Sequence, residues 1–161
     1  MGRNMILSVL ALFISVSTVS AADWKLVWSD EFNYKGLPDA KKWASEVGFV
    51  RNRELQYYTR GRMENARVAN GRLVIESRKE KFKNPDYRPD SSSGRWKYSR
   101  EYAGYTSASV TTQGKAAWPY DKQHYLILNT EIGGSWGGRK GIDESVFPQK
   151  FYIDYVRVYQ K

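Results

Sequence analysis

Hydrophobic and polar residues alternate along much of this chain with the two-residue period of a β-strand. Trp24-Lys25-Leu26-Val27-Trp28 opens the pattern, and Ala66-Arg67-Val68 and Leu73-Val74-Ile75 flank an Asn70-Gly71 pair. Asn-Gly between two such runs predicts a hairpin with a type I′ turn, because both residues tolerate the positive φ that this turn requires. Further β-branched and aromatic runs occupy Tyr105 to Thr112, Tyr125 to Thr130 and Phe151 to Tyr159. Tyr125-Leu126-Ile127-Leu128 is apolar at consecutive positions, which predicts a central strand covered on both faces. No window of helical length carries a 3.6-residue period, and only Asp39 to Ser45 has room for a short helical turn. Lys81 to Tyr102 is basic, rich in Ser, Pro and Tyr, and reads as one long loop. There is no internal repeat. The class is all-β, a sandwich.

Before Trp24 the pattern changes. Arg3 precedes a nearly unbroken apolar run from Met5 to Val16, and Val19-Ser20-Ala21-Ala22 supplies small residues for cleavage. Residues 1–21 therefore read as a secretory signal peptide and 22–161 as one domain. The run is well short of the ~20 residues that span a bilayer, so no stable membrane insertion is expected after cleavage.

Composition sharpens this picture. The 161 residues include 41% hydrophobic positions, too many for intrinsic disorder, and no Cys, which excludes disulfides and any cysteine-based metal site or nucleophile. Export without cysteine suits a bacterial exterior or periplasm. Twenty-six Lys and Arg against 17 Asp and Glu leave +9 with the one His neutral. Arg95, Lys97 and Arg100 beside Trp96, Tyr98 and Tyr102 imitate a nucleic-acid surface. Export argues against that partner, and the segment reads as solvated or attracted to anionic envelope polymers. His124 has no nucleophile or base near it in sequence and reads as structural.

Five blocks, in order from Trp24 to the C-terminus, carry a resemblance. They are Trp28-Ser29-Asp30-Glu31-Phe32, Asn52-Arg53-Glu54-Leu55-Gln56-Tyr57-Tyr58-Thr59, and Tyr105-Thr106-Ser107-Ala108 with Thr111-Thr112-Gln113-Gly114-Lys115. Leu126-Ile127-Leu128-Asn129 with Gly133-Gly134-Ser135-Trp136-Gly137-Gly138, and Asp154-Tyr155-Val156-Arg157-Val158-Tyr159, complete the set. Together they closely resemble glycoside hydrolase family 16, and within it the bacterial laminarinase type. The resemblance implies a jelly-roll β-sandwich of the concanavalin A-like lectin and glucanase kind, with a β-glucan cleft on its concave face. It implies an endo-β-1,3(4)-glucanase that hydrolyses O-glycosyl bonds with retention. By position, Asn52 and Glu54 match residues that hydrogen-bond sugar hydroxyls, and Trp136 matches a platform for a pyranose ring. Without the resemblance, Glu54 reads equally as a surface charge and Trp136 as a core or rim aromatic. A structural Ca²⁺ is also implied, held by Glu31, the Gly71 carbonyl and Asp154; the alternative is that the two carboxylates pair with Lys or Arg.

The same resemblance exposes a gap. Retaining glycosidases use two carboxyl groups about 5–5.5 Å apart, one as nucleophile and one as acid/base. In the resembled family they lie on one strand as Glu-x-Asp-x-x-Glu. No Glu of this chain is followed by Asp two residues later, and no Asp by Glu three residues later. Glu131 and Asp143 flank the Gly-rich loop but belong to no such motif. The block Gly114 to Trp118, which should lead into the cleft strands, shares Trp118 with Trp118-Pro119-Tyr120-Asp121, which should follow the catalytic strand. All-β sandwiches commonly run to ~200–250 residues, so a mature chain of about 140 lacks something like a hundred. No catalytic residue is assigned, and hydrolysis is not expected. The alternatives are a non-catalytic glucan-binding remnant and a non-functional fragment, and missing strands leave free edges that invite self-association.

Overall fold

A computed structural model describes residues 23–89, 97–113 and 125–161. The expected signal peptide, and with it Arg95, Trp96, Trp118 and His124, lies outside the described residues. Ten strands follow in order: β1 (Lys25–Asp30), β2 (Trp43–Ser45), β3 (Gln56–Tyr58), β4 (Ala66–Ala69), β5 (Arg72–Lys83), β6 (Tyr102–Ser107), β7 (Ser109–Thr112), β8 (Ile127–Asn129), β9 (Gln149–Ile153) and β10 (Val156–Gln160). A single helical turn, α1 (Gly134–Gly137), and a 3-10 turn over Glu144–Val146 are the described helical elements. The protein is all-β, as its alternation predicts.

Three sheets form. β1 pairs with β10, β2-β7-β8 make a three-stranded sheet, and β3-β6-β5-β4 make the largest, with β9 also pairing to β5. The Asn70-Gly71 hairpin is as expected: φ is 54° and 72° at the two residues, and Ala69 pairs with Arg72 across the turn. Asp39 accepts from Lys42 N and Trp43 N at 2.9 and 2.8 Å, so the expected helical turn exists, but β2 begins at once behind it.

Asp30 shows how a sequence block becomes architecture. Its buried carboxylate accepts from Phe32 N at 3.1 Å, Tyr34 OH at 3.0 Å and Trp43 Nε1 at 2.7 Å. These bonds compensate its desolvation and fasten β1 to β2. Phe32 and Trp43 then stack in the main core with Val68, Leu73, Ile75 and Val110. A second cluster joins Phe49, Tyr57, Phe82 and Ala103.

Three expectations need correction. β5 runs on to Lys83 and β6 starts at Tyr102, so both ends of the expected loop belong to strands. Strand alternation persists there, but lysines hold the outward positions and mask it. The Tyr125 segment yields only the three-residue β8, bonded to β7 alone, with Tyr125 64% and Ile127 38% exposed. Among the described residues it is an edge, not a central strand. Finally, the alternation at Trp24 to Trp28 does not bury one face: Trp24, Leu26 and Val27 are all exposed, and a bulge separates Leu26 from Trp28.

The core face is incompletely covered. Phe151 pairs with Ile75 in the β5–β9 ladder, and directly paired residues share a face. Ile75 is fully buried, yet Phe151 is 41% exposed. The described residues therefore cover Phe151 only in part.

Candidate functional site

Residues 52–58 and 129–136 meet to form the site. Backbone bonds join the segments: Leu55 N donates to Ile132 O at 2.9 Å, Ser135 N donates to Asn52 O at 3.0 Å, and Glu54 bridges to Gly133. Gln56 adds a side-chain tie, its Oε1 accepting from Ile132 N at 2.9 Å.

Glu54, Gln56 and Tyr58 are spaced by two and point the same way, as an extended chain requires. Gln56 Nε2 donates to Glu54 Oε2 at 2.6 Å and Tyr58 OH donates to the same oxygen at 3.2 Å. Asn52 Nδ2 reaches Glu54 Oε1 at the longer distance of 3.5 Å. Asn129 Nδ2 donates to Tyr58 OH at 3.0 Å and to Glu131 Oε1 at 3.3 Å, so one amide links two carboxylates through the phenol. Glu54 is 1% exposed, which removes the surface-charge reading. Burial pushes its pKa up and the negative charge of Glu131 adds to this, while the bonds from Gln56 and Tyr58 oppose the shift.

Trp136 is 88% exposed on α1, so it is not a core residue. The turn beneath it depends on glycine. Gly133 and Gly134 have φ of 69° and 81°, and a Cβ on Gly134 would meet Asn52 O at 3.0 Å and Glu54 Cγ at 3.3 Å. An indole held clear of the body offers its flat apolar face to a flat apolar partner. A cleft of about 570 Å³ opens beside this loop, lined by Arg53, Leu55, Tyr105, Gly133, Ile142 and Glu144.

Asn52, Glu54 and Trp136 are thus brought together by one loop pairing. Sequence reasoning missed Gln56, Tyr58 and Asn129, which fix the Glu54 carboxylate. The i, i+2, i+4 spacing was the available signal for the first two. The remaining carboxylates near the loop are otherwise engaged: Asp143 caps the 3-10 turn through Ser145 N at 2.9 Å, and Glu144 binds Lys79 Nζ at 2.5 Å and Tyr105 OH at 2.8 Å.

The three residues matched to a cation lie elsewhere. β5 pairs Leu73 with Ile153, and β1 pairs Asp30 with Val156. One step further along each ladder sets Arg72 beside Asp154 and Glu31 beside Tyr155, with Gly71 next in line. Glu31 accepts from Arg157 Nε and Nη2, both at 2.8 Å, and Asp154 accepts from Arg72 Nε at 2.7 Å. No group of three His, Cys, Asp or Glu side chains gathers among the described residues. Two carboxylates and a turn carbonyl at one end are an all-oxygen donor set, compatible with a hard cation.

No family model matches the chain. The β-glucanase of Rhodothermus marinus is 28% identical, over 87% of this chain and 86% of its own length. A glucan endo-1,3-β-glucosidase of Cryptopygus antarcticus is 33% identical over 76% of this chain and 46% of its own. Among solved structures, a non-specific endo-β-1,3(4)-glucanase of family GH16 superposes with a TM-score of 0.67 at 28% identity, covering 88% of this chain and 96% of the other. The laminarinase of Rhodothermus marinus gives 0.64 at 26% identity, with 85% and 97% covered. The β-glucanase alignment runs over 247 residues, whereas 87% of 161 residues is about 140. Roughly a hundred positions of that relative therefore have no counterpart here. The five blocks, the sandwich and these relatives agree: the chain is similar to the laminarinases and endo-β-1,3(4)-glucanases of glycoside hydrolase family 16, and its sequence contains no Glu-x-Asp-x-x-Glu.

Proposed function

We propose that this chain binds β-glucan without hydrolysing it. The observation that carries the reading is the closed network Asn52–Glu54–Gln56–Tyr58–Asn129 beneath an 88% exposed Trp136, in a chain whose sequence has no paired catalytic carboxylates. A pyranose has an apolar C–H face for the indole and hydroxyls for the amide and carboxylate edge. Double displacement needs a nucleophile and an acid/base together. Glu54 is buried under three donors and Asp143 is committed to its cap, so neither stands free beside a glycosidic bond.

The test uses purified protein. Retention on laminarin should fall sharply in Trp136→Ala, while reducing-sugar release from laminarin stays at blank. Release well above blank that disappears in Glu131→Gln or Asp143→Asn would mean that an active site has been rebuilt.

Three further properties belong to this reading. The protein is secreted or periplasmic, on the strength of residues 1–21. It self-associates, because among the described residues β8 and β9 each leave one edge unpaired and Phe151 is partly exposed. Glu31, the Gly71 carbonyl and Asp154 hold a structural Ca²⁺. The Glu31–Arg157 and Arg72–Asp154 pairs there are solvent-exposed and screened, so a cation can displace them. Calcium should raise the melting temperature and EDTA should reverse the rise; indifference to both would remove the site.

A further inference from the structure

The β5–β6 ribbon carries a cationic face that the glucan site does not use. From Arg78 onward β5 alternates: Lys79, Lys81 and Lys83 are exposed, while Arg78, Glu80 and Phe82 are half-buried. Phe82 turns into the cluster with Tyr57 and Ala103, and Lys83, next to it on the strand and paired with Tyr102, faces the opposite side, where Lys81 reaches the Tyr102 ring. Lys79 is paired with Glu144, but Lys81 and Lys83 have no acidic partner among the described residues. Lys81 Nζ stands 4.1 Å from the ring centre of Tyr102, and Tyr102 lies directly across the ladder from Lys83. Gly104 is exposed with nothing within 4 Å of a Cβ position, and the floor it leaves open forms a cleft of about 470 Å³ with Lys79, Lys81 and Tyr102. Glu80, the carboxylate on this cleft, is neutralised by Arg62 through contacts of 2.5 and 2.9 Å.

The connection beyond the ribbon extends the same chemistry. Asn84 Nδ2 donates to Lys97 O at 3.0 Å and Arg100 O at 2.9 Å, which ties residues 97–100 to the ribbon's end. There Arg88 and Lys97 lie 4.9 and 4.8 Å from the ring of Tyr98.

We propose that this face binds an anionic polysaccharide, one whose rings carry carboxylate or sulfate groups, at a site separate from the glucan cleft. Lys81 and Lys83 are about 6.6 Å apart along the strand, a spacing suited to a polymer with one charge per sugar ring. Tyr102 between them supplies a half-exposed ring for the apolar side of a pyranose. Duplex DNA presents a charge every ~1.7 Å and calls for a denser array of cations. Two unpaired lysines separated by an aromatic ring match the sparser polymer.

Affinity electrophoresis at rising salt tests this, with dextran sulfate, polygalacturonate, neutral laminarin and duplex DNA as probes. The wild type should be retained by dextran sulfate, polygalacturonate or both, and which of them holds it separates sulfate from carboxylate recognition. Retention should weaken with salt and drop about fivefold or more in the Lys81→Gln, Lys83→Gln double variant. Laminarin retention in that variant should be unchanged, which also shows that it is folded and keeps this result independent of the glucan site. A charge-matched control, Lys35→Gln with Lys161→Gln, lies outside the ribbon and should stay near wild type. The proposal fails if the control loses as much as the double variant, if the double variant binds like wild type, or if DNA is held as tightly as the better polysaccharide.

Discussion

Gly134→Ala tests whether the glycine turn is what presents Trp136. Gly134 sits at φ +81°, and its new Cβ would lie 3.0 Å from Asn52 O and 3.3 Å from Glu54 Cγ. Holding an L-residue in the left-handed region costs about 1–2 kcal/mol. The close contact adds on the order of 1 kcal/mol, because the oxygen it meets is backbone and already accepts from Ser135 N at 3.0 Å. The sum, about 2–3 kcal/mol, corresponds at roughly 3–4 °C per kcal/mol to a fall of about 6–12 °C in melting temperature. Relief by swinging the turn outward would break Ser135 from Asn52 and move the indole, so laminarin retention should fall as well. Gly137 is the internal control: it lies in the same turn, and a Cβ there meets nothing within 4 Å. Gly137→Ala should leave both melting and retention close to wild type. Thermal melts by circular dichroism and affinity electrophoresis on laminarin read the two quantities. If Gly134→Ala melts and binds like wild type, or if Gly137→Ala is equally damaging, the turn does not act as described.

Glu76 is buried and faces Arg67 at 2.8 Å, Arg78 at 2.5 Å and Lys150 at 3.9 Å, so Glu76→Gln should cost about 2 kcal/mol in denaturant melts. That is below the cost for a fully buried pair because the three cations keep partial solvent contact; an unchanged midpoint would refute it. Burial would raise the Glu76 pKa, but the bonds and charges of its cations lower it, so its stabilisation holds above the ordinary glutamate range and disappears as pH falls through the lowered value. Glu54 has the opposite sign. Its raised pKa gives a contribution that is full below its ordinary value of 4.5 and is lost as pH rises through the raised one. The stability of wild type relative to Glu54→Gln should therefore decline from pH 4 to pH 7, and a flat difference would contradict the assignment. Phe151→Ser should shift the protein toward monomer in light scattering; an unchanged distribution would place the contact elsewhere.

What could be read from the sequence depended on how locally each feature is determined. Asn70-Gly71 was legible because both backbone conformations are properties of the two residues themselves. The outer half of β5 was not, since Lys79, Lys81 and Lys83 hold its outward positions and its pairing comes from β6, some twenty residues on. The burial expected at Tyr125 to Leu128 differs for another reason: an apolar run reports the cover for which it is suited, and the described residues leave Tyr125 and Ile127 exposed. At the site, Asn52, Glu54 and Trp136 were legible only through resemblance. The depth of Glu54 was not legible at all, because Asn129, which holds Tyr58 against it, lies 71 residues from Tyr58 in sequence.

On the binding-only reading, recognition can stand apart from reaction because the described contacts of residues 52–58 and 129–136 run largely among themselves. Among the described residues, the bonds to the Glu54 carboxylate come from 52–58, supported by Asn129, and the loop that carries Trp136 is tied to 52–56 through 132–135. The sandwich, by contrast, has no such closure. Phe151 and Ile127 lie at its margins, where the described residues leave them partly exposed. Glucan retention and thermal stability should therefore respond to different substitutions: Trp136→Ala should change the first and spare the second, and Glu76→Gln should do the reverse below its melting point. A protein in which both substitutions changed both quantities would have a site that leans on the sandwich, and the binding-only reading would lose its physical basis.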